Sequence, residues 1–384
     1  MTQNSAASTN MMTIFCHCVT VGRSVCVAGL FFVPVKTTGG ARHMPTTRRL
    51  SSKTSLFGGR LAAWLRENVD KTPRAIKRER PSAVLGLAQT NEVKLAGCLF
   101  GPEGLPKLDE AKWPGCKHIA RFYGATMGKS YIFIVQEFGG VPLSKLIRSI
   151  KGEFFHSKRV YRIAEKPFYS EMKKNPLILK TLLRKILEVI DLLNHIDYVH
   201  ADLKPENIVV KRVEGEENFG DIKVIDFGCA FKHDEGEGAV MATPEYMPPE
   251  ALHNLGRYTD KDMRSSSISS PPWAFDMWSL GVVFLELLVG IPPGFPGDLV
   301  VKDKYGNDRL LPGGFFAGHA KRPEVIRKKQ MQVVQHLAEL VAGSSTGLDL
   351  PDSTGAIDLL SQMLQKEPCQ RISPREALAH PFLA

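Results

Sequence analysis

The stretch that most restricts what this chain can become is Tyr198-Val-His-Ala-Asp-Leu-Lys-Pro-Glu-Asn-Ile-Val-Val210, followed by Val224-Ile-Asp-Phe-Gly228. The apolar runs 208–210 and 222–225 read as two short strands a hairpin apart. Between and beside them lie Asp202, Lys204, Asn207 and Asp226. Flanking strands would hold these polar groups at one rigid edge. A carboxylate base, an ammonium group and two oxygen donors meeting there suit Mg²⁺-assisted phosphoryl transfer, because Mg²⁺ prefers carboxylate, amide and phosphate oxygens.

His200-Ala-Asp-Leu-Lys-Pro-Glu-Asn207 and Asp226-Phe-Gly228, in order and about twenty residues apart, resemble the catalytic and metal-binding loops of eukaryotic protein kinases. The resemblance runs over about residues 51–384. It implies an α+β, bilobal protein-kinase fold, with a small β-rich N-lobe (51–140) and a larger, mostly helical C-lobe (141–384). It also implies ATP and Mg²⁺ as cofactors and proteins with Ser/Thr hydroxyls as substrates. In that mapping Asp202 orients the hydroxyl and takes its proton late, and Lys204 neutralises the γ-phosphate. Asn207 and Asp226 hold the metal. Lys204, two places after the base, and Thr243, which would buttress both Asp202 and Lys204, resemble serine/threonine rather than tyrosine kinases.

The smaller lobe follows the family less closely. Ala75-Ile-Lys77 resembles the strand lysine that contacts the α- and β-phosphates. Residues 91–99 have helical spacing at Val93, Leu95 or Ala96, and Leu99, which makes Glu92 the carboxylate that would pair with Lys77. Lys77-Arg-Glu-Arg80 reads equally well as an exposed charge run, and Lys94 with Glu103 or Glu110 is a competing pair. Glycines over the phosphates let backbone N–H groups approach without a Cβ in the way. Of that pattern residues 51–61 keep Phe57 and the pair Gly58-Gly59, with serine or threonine at the earlier places. Residues 118–124 and 131–138 read as aromatic-rich strands separated from the helix by a Gly/Pro-rich loop, 101–116. The resemblance puts Gln136 at the back of the adenine pocket. Glu137 and Phe138 open the hinge, whose backbone would bond the adenine ring.

In the larger lobe, residues 177–196 form a long helix with Leu179, Leu182, Leu183, Ile186, Leu187, Ile190 and Leu193 on one face. By resemblance Asp276 braces the catalytic-loop backbone, and Glu250, closing the activation-loop segment 226–250, pairs with Arg371. Ala201 stands where many members carry an arginine that gathers an activation-loop phosphate. Activity is therefore expected without that phosphate. Glu206 points, by resemblance alone, to basic residues before the target hydroxyl. Cys229 reads as a small packing residue beside the nucleotide. Residues 144–174 carry nine Lys/Arg against three Glu, with aromatics at 154, 155, 161, 168 and 169. They read as a solvated insertion held by a few aromatics, or as a dock for an acidic partner. The serine-rich stretch 264–272 reads as a flexible loop.

The net charge of +10 does not indicate nucleic acid, because residues 1–66 hold eight Lys/Arg and no acid, leaving 42 basic and 40 acidic residues beyond. Seven cysteines at unpaired spacings fit reduced thiols in an intracellular compartment rather than zinc. Residues 1–50 read as a disordered extension or an organellar transit peptide, giving a cytoplasmic or organellar location. Arg23 interrupts their apolar stretch, so no membrane span is expected. A pseudokinase that binds partners, and a small-molecule kinase on the same fold, are the competing functions.

Overall fold

The computed structural model describes residues 74–79, 83–127, 132–155, 158–212, 219–233, 242–254, 270–293, 299–302, 308–311, 323–344 and 347–384. The extension 1–50, Gly58-Gly59 and residues 264–269 of the serine-rich stretch lie outside them. The chain divides into two units. The smaller takes in residues up to 86, 100–105 and 121–138, and the larger 87–99, 106–120 and 139–384.

The smaller unit is built on three strands, β1 (Arg74–Glu79), β2 (Phe122–Met127) and β3 (Ile132–Glu137), antiparallel in the order β1-β3-β2. Branched and aromatic residues favour such pleated, half-buried positions, and Ile76, Ile134 and Val135 are buried. The strand expected over 118–124 begins only at Phe122, and residues 114–118 form a 3-10 turn. The cause is tertiary. His118 lies 3.1 Å from Glu188 and 3.3 Å from Asp221, and the Ala120 N–H donates to Val224 C=O at 3.1 Å.

In the larger unit, helix α1 (Ala83–Leu99, counted here from residue 87) buries Leu95 and Leu99. Strand β4 (Val141–Pro142) leads into α2 (Leu143–Ile147), a hairpin of β5 (Arg148–Phe155) and β6 (Lys158–Glu165), and α3 (Pro167–Lys174). The insertion at 144–174 is thus built of regular elements. Next comes α4 (Pro176–His195), started by the Asn175 side chain, which accepts from the Leu177 N–H at 3.1 Å, and by Pro176 in the first turn. All seven residues of the expected stripe are buried. At about 1.5–3 kcal/mol per fully buried Leu or Ile, that face is a major part of the core.

Short strands β7 (Tyr198–Val199), β8 (Ile208–Arg212), β9 (Phe219–Val224) and β10 (Phe231–Lys232) follow, paired as β4-β8-β9 and β10-β7. Gly140 permits the close approach of β4: at φ +123°, an added Cβ would lie 2.1 Å from the Val210 carbonyl oxygen. Helix α5 (Pro249–Asn254) precedes α6 (Ala274–Val289), whose every residue is buried. Strands β11 (Leu299–Lys302) and β12 (Asp308–Leu311) join the earlier hairpin in a sheet ordered β12-β11-β6-β5. The unit closes with α7 (Pro323–Gln335), α8 (Leu337–Ala342), α9 (Ser353–Met363) and α10 (Pro374–Leu378). No described helix is long and apolar enough to cross a membrane.

Candidate active site

The turn between β7 and β8 holds the first polar cluster, and its shape is set from below by α6. Asp276, fully buried, accepts from the His200 N–H at 2.7 Å and the Ala201 N–H at 3.0 Å. Those bonds hold Ala201 at φ +64°, a left-handed conformation that alanine adopts at a cost of roughly 1–2 kcal/mol. Burial raises the Asp276 pKa, opposed by His200 and the two backbone N–H groups. His200 ties the turn to the next strand. Its Nδ1 accepts from the Asp202 N–H at 3.2 Å, so Nε2 carries the hydrogen and donates to Ile225 C=O at 3.2 Å. That tautomer is assigned from the network.

Asp202 is the meeting point. Lys204 Nζ donates to its Oδ2 at 2.6 Å, and Asn207 Nδ2 donates to the same oxygen at 3.1 Å and to the Asp202 carbonyl at 2.8 Å. Thr243 donates to Oδ1 twice, from its N–H at 3.0 Å and its hydroxyl at 2.8 Å, and the hydroxyl accepts from Lys204 at 2.7 Å. The buttress expected of Thr243 is therefore present. Burial disfavours the Lys204 ammonium, but Asp202 foremost, with Asp226 and Glu206, outweighs it and holds the lysine above its ordinary range. Lys204 stays charged at neutral pH.

The Ile225 N–H donates to Asn207 C=O at 2.9 Å, which sets Asp226 beside this cluster. Asp226 is itself left-handed, at φ +65°, and leads into a 3-10 turn, Phe227–Cys229. Both hydrogens of the Asn207 amide point at Asp202, which leaves Oδ1 as its acceptor. Asn207 and Asp226 thus supply hard oxygen donors fitting Mg²⁺, which keeps several positions for water and phosphate. No group of three His, Cys, Asp or Glu able to cage a metal occurs among the described residues.

Lys77 of β1 is 7% exposed, so it is not the surface charge that Lys77-Arg-Glu-Arg80 also allowed, and Glu92 of α1 is 4% exposed. A buried charge needs a partner, and each of them has one. Lys94, the rival cation, is exposed. Gln136 is buried, as its expected place requires. The Glu137 N–H already donates to Arg121 C=O at 2.7 Å within the small sheet, so that group is not an adenine donor. Phe138 follows, half-buried.

Two further features frame the loops. Glu250 and Arg371 form the expected pair, bidentate at 2.6 and 2.7 Å. Arg371 also donates to the carbonyls of Ala274 and Gln365, at 2.9 and 2.8 Å. Sequence reasoning missed Glu286, which accepts from Arg148 and, at 2.6 Å, from the Tyr246 hydroxyl. The signal was there: Glu286 is a lone carboxylate in the apolar last turns of α6. Burial, then Glu286, raises the pKa of Glu206.

A protein kinase domain model matches residues 110–383. Serine/threonine-protein kinase 17A of Oryctolagus cuniculus is 31% identical over 204 residues, 53% of this chain and 39% of that protein. Serine/threonine-protein kinase ppk23 of Schizosaccharomyces pombe is 26% identical over 255 residues, 65% of this chain and 53% of that one. Probable cyclin-dependent kinase 8 of Dictyostelium discoideum is 31% identical over 224 residues, 53% of this chain and 52% of that protein. The chain thus spans between 39% and 53% of the length of these relatives.

Proposed function

The chain belongs to the protein kinase domain family, and from that premise we propose that it is an active serine/threonine kinase, transferring the γ-phosphate of ATP to protein hydroxyls. The observation that carries this reading is the hydrogen-bonded set of Asp202, Lys204 and Thr243. A scaffold has no chemical need for it.

In this mechanism Asp202 receives the substrate hydroxyl. Its Oδ1 is held by Thr243 and its Oδ2 by Lys204 and Asn207, so the carboxylate is oriented before substrate arrives, and orientation is most of what phosphoryl transfer asks of a protein. As the hydroxyl oxygen attacks in line, its proton passes late to Asp202. Lys204, kept charged, offsets the negative charge gathering on the transferred group. Asn207 and Asp226 would hold Mg²⁺, which supplies charge neutralisation on the phosphates. Lys77 is the small unit's candidate phosphate ligand, with Glu92 buried on α1.

The competing reading is a pseudokinase scaffold, favoured by the glycine-poor stretch 51–61. Purified protein is incubated with Mg·ATP and a basic protein substrate, beside Asp202→Asn. Transfer by the wild type, lost in the variant, supports the proposal, and equal background from both refutes it. Thermal shift with Mg·ATP tests nucleotide binding separately.

A further inference from the structure

Apart from Arg148, the first residue of β5, which bonds Glu286, the sheet β12-β11-β6-β5 takes no part in the site described above, and its outer strand among the described residues is unusual. β5 runs for eight residues against β6 without a register break and contains no proline. At about 3.3 Å per residue, it offers an edge of roughly 26 Å. Proteins ordinarily blunt such an edge with short strands, bulges or proline, because an open row of N–H and C=O groups recruits another strand. β5 has none of these, and of the charges that also guard edges it carries exposed Lys151, with Glu153 paired to Arg162.

Its side chains add to the backbone. Ile150 and Phe154 are 38% and 79% exposed. Spaced by four, they lie on one face with Gly152 between them, and the register places Ile163, Tyr161 and Arg159 of β6 opposite. Charge points the same way. Arg148 is consumed inside the fold by Glu286, and of the other residues of 144–174, eight are Lys/Arg and three Glu. Two of those acids are already matched, Glu153 with Arg162 at 2.9 Å and Glu165 with Lys173 at 2.6 Å. The strand is also firmly mounted. Val160 of β6 is 1% exposed, and the Tyr169 hydroxyl of α3 donates to Leu287 C=O at 2.5 Å.

We propose that β5 is a docking edge that takes an extended, acidic segment of a partner protein as an added strand, with apolar residues seated on Ile150 and Phe154. Backbone pairing would supply affinity, and the alternation of acidic with apolar residues would supply choice. Binding does not require phosphotransfer, so it stands or falls apart from the catalytic reading.

The test uses the full chain and a fluorescein-labelled peptide alternating Glu with Val, read by anisotropy. A scrambled peptide of the same composition and a Lys-for-Glu peptide serve as controls. The expected result is saturable binding by the alternating acidic peptide, weakened at least about tenfold by Phe154→Asp and by Lys151→Glu. Both positions are exposed, so the fold should survive, and circular dichroism checks that. Hydrogen exchange should show β5 amides newly protected by the peptide. Equal binding of the scrambled peptide, or binding indifferent to both substitutions, would reduce the effect to diffuse charge and overturn the proposal. So would a Phe154-dependent dimer by sedimentation, which would assign the edge to a second copy.

Discussion

Replacing Thr243 by alanine is the sharpest probe of the site. The change keeps the backbone N–H bond to Asp202 Oδ1 at 3.0 Å and removes two others, the 2.8 Å bond to that carboxylate and the 2.7 Å bond from Lys204. Hydrogen bonds to charged groups contribute about 1.5–3 kcal/mol each. Thr243 is only half-buried, so water replaces part of the loss. A net cost of about 1.5–3 kcal/mol in the transition state corresponds to a kcat lower by roughly ten- to a hundredfold. KM for ATP should barely change, because the lost bonds orient the base rather than the nucleotide. Thr243→Ser keeps a hydroxyl that donates to Asp202 and accepts from Lys204, and should retain most activity. Steady-state phosphotransfer with a peptide substrate measures all three proteins. If Thr243→Ala matched Thr243→Ser in kcat, the hydroxyl would not be positioning Asp202 and the reasoning would fail.

Four more outcomes are expected. Arg371→Met should destabilise the larger unit by about 3–5 kcal/mol, because it leaves Glu250 partly buried without its cation. Urea unfolding followed by hydrogen exchange in α5 and α6 checks it, and the double change with Glu250→Gln should recover part of the loss. Burial disfavours the His118 imidazolium, but Asp221 and Glu188 outweigh it and raise its pKa, while Lys185 and Lys223 also face Asp221, at 3.4 and 3.6 Å. Its stabilisation is therefore fully present below about pH 6.5 and lost as pH rises through the folded value. His118→Gln should flatten that slope in thermal melts. Burial, with Glu110, pushes the Cys116 thiol up, so mass-mapped thiol labelling should reach exposed Cys98 and Cys369 well before Cys116. Phosphatase treatment should leave activity unchanged, since Ala201 offers an activation-loop phosphate no cation; a large loss would refute this.

Local chemistry made much of this protein legible from residue order. The stripe of α4, the paired strands β8 and β9, and the polar set Asp202, Lys204, Asn207 and Asp226 each rest on periodicity or short spacing. So does α6 up to a point, since an unbroken apolar run can only be interior. Other features depended on residues far apart in the chain. The strand expected from residue 118 yielded because Glu188 and Asp221, from two other elements, hold His118 in a turn. The hairpin of β5 and β6 is local, but it grew into a four-stranded sheet because β11, well over a hundred residues later, pairs with β6 in parallel. Whether Lys77 was buried or solvated turned on what packs around β1, which no run of four charged residues records. Sequence fixes which groups can do chemistry and which faces must leave water. Long-range pairing then decides which buried charges meet, because desolvation and opposite charge act through space and not along the chain.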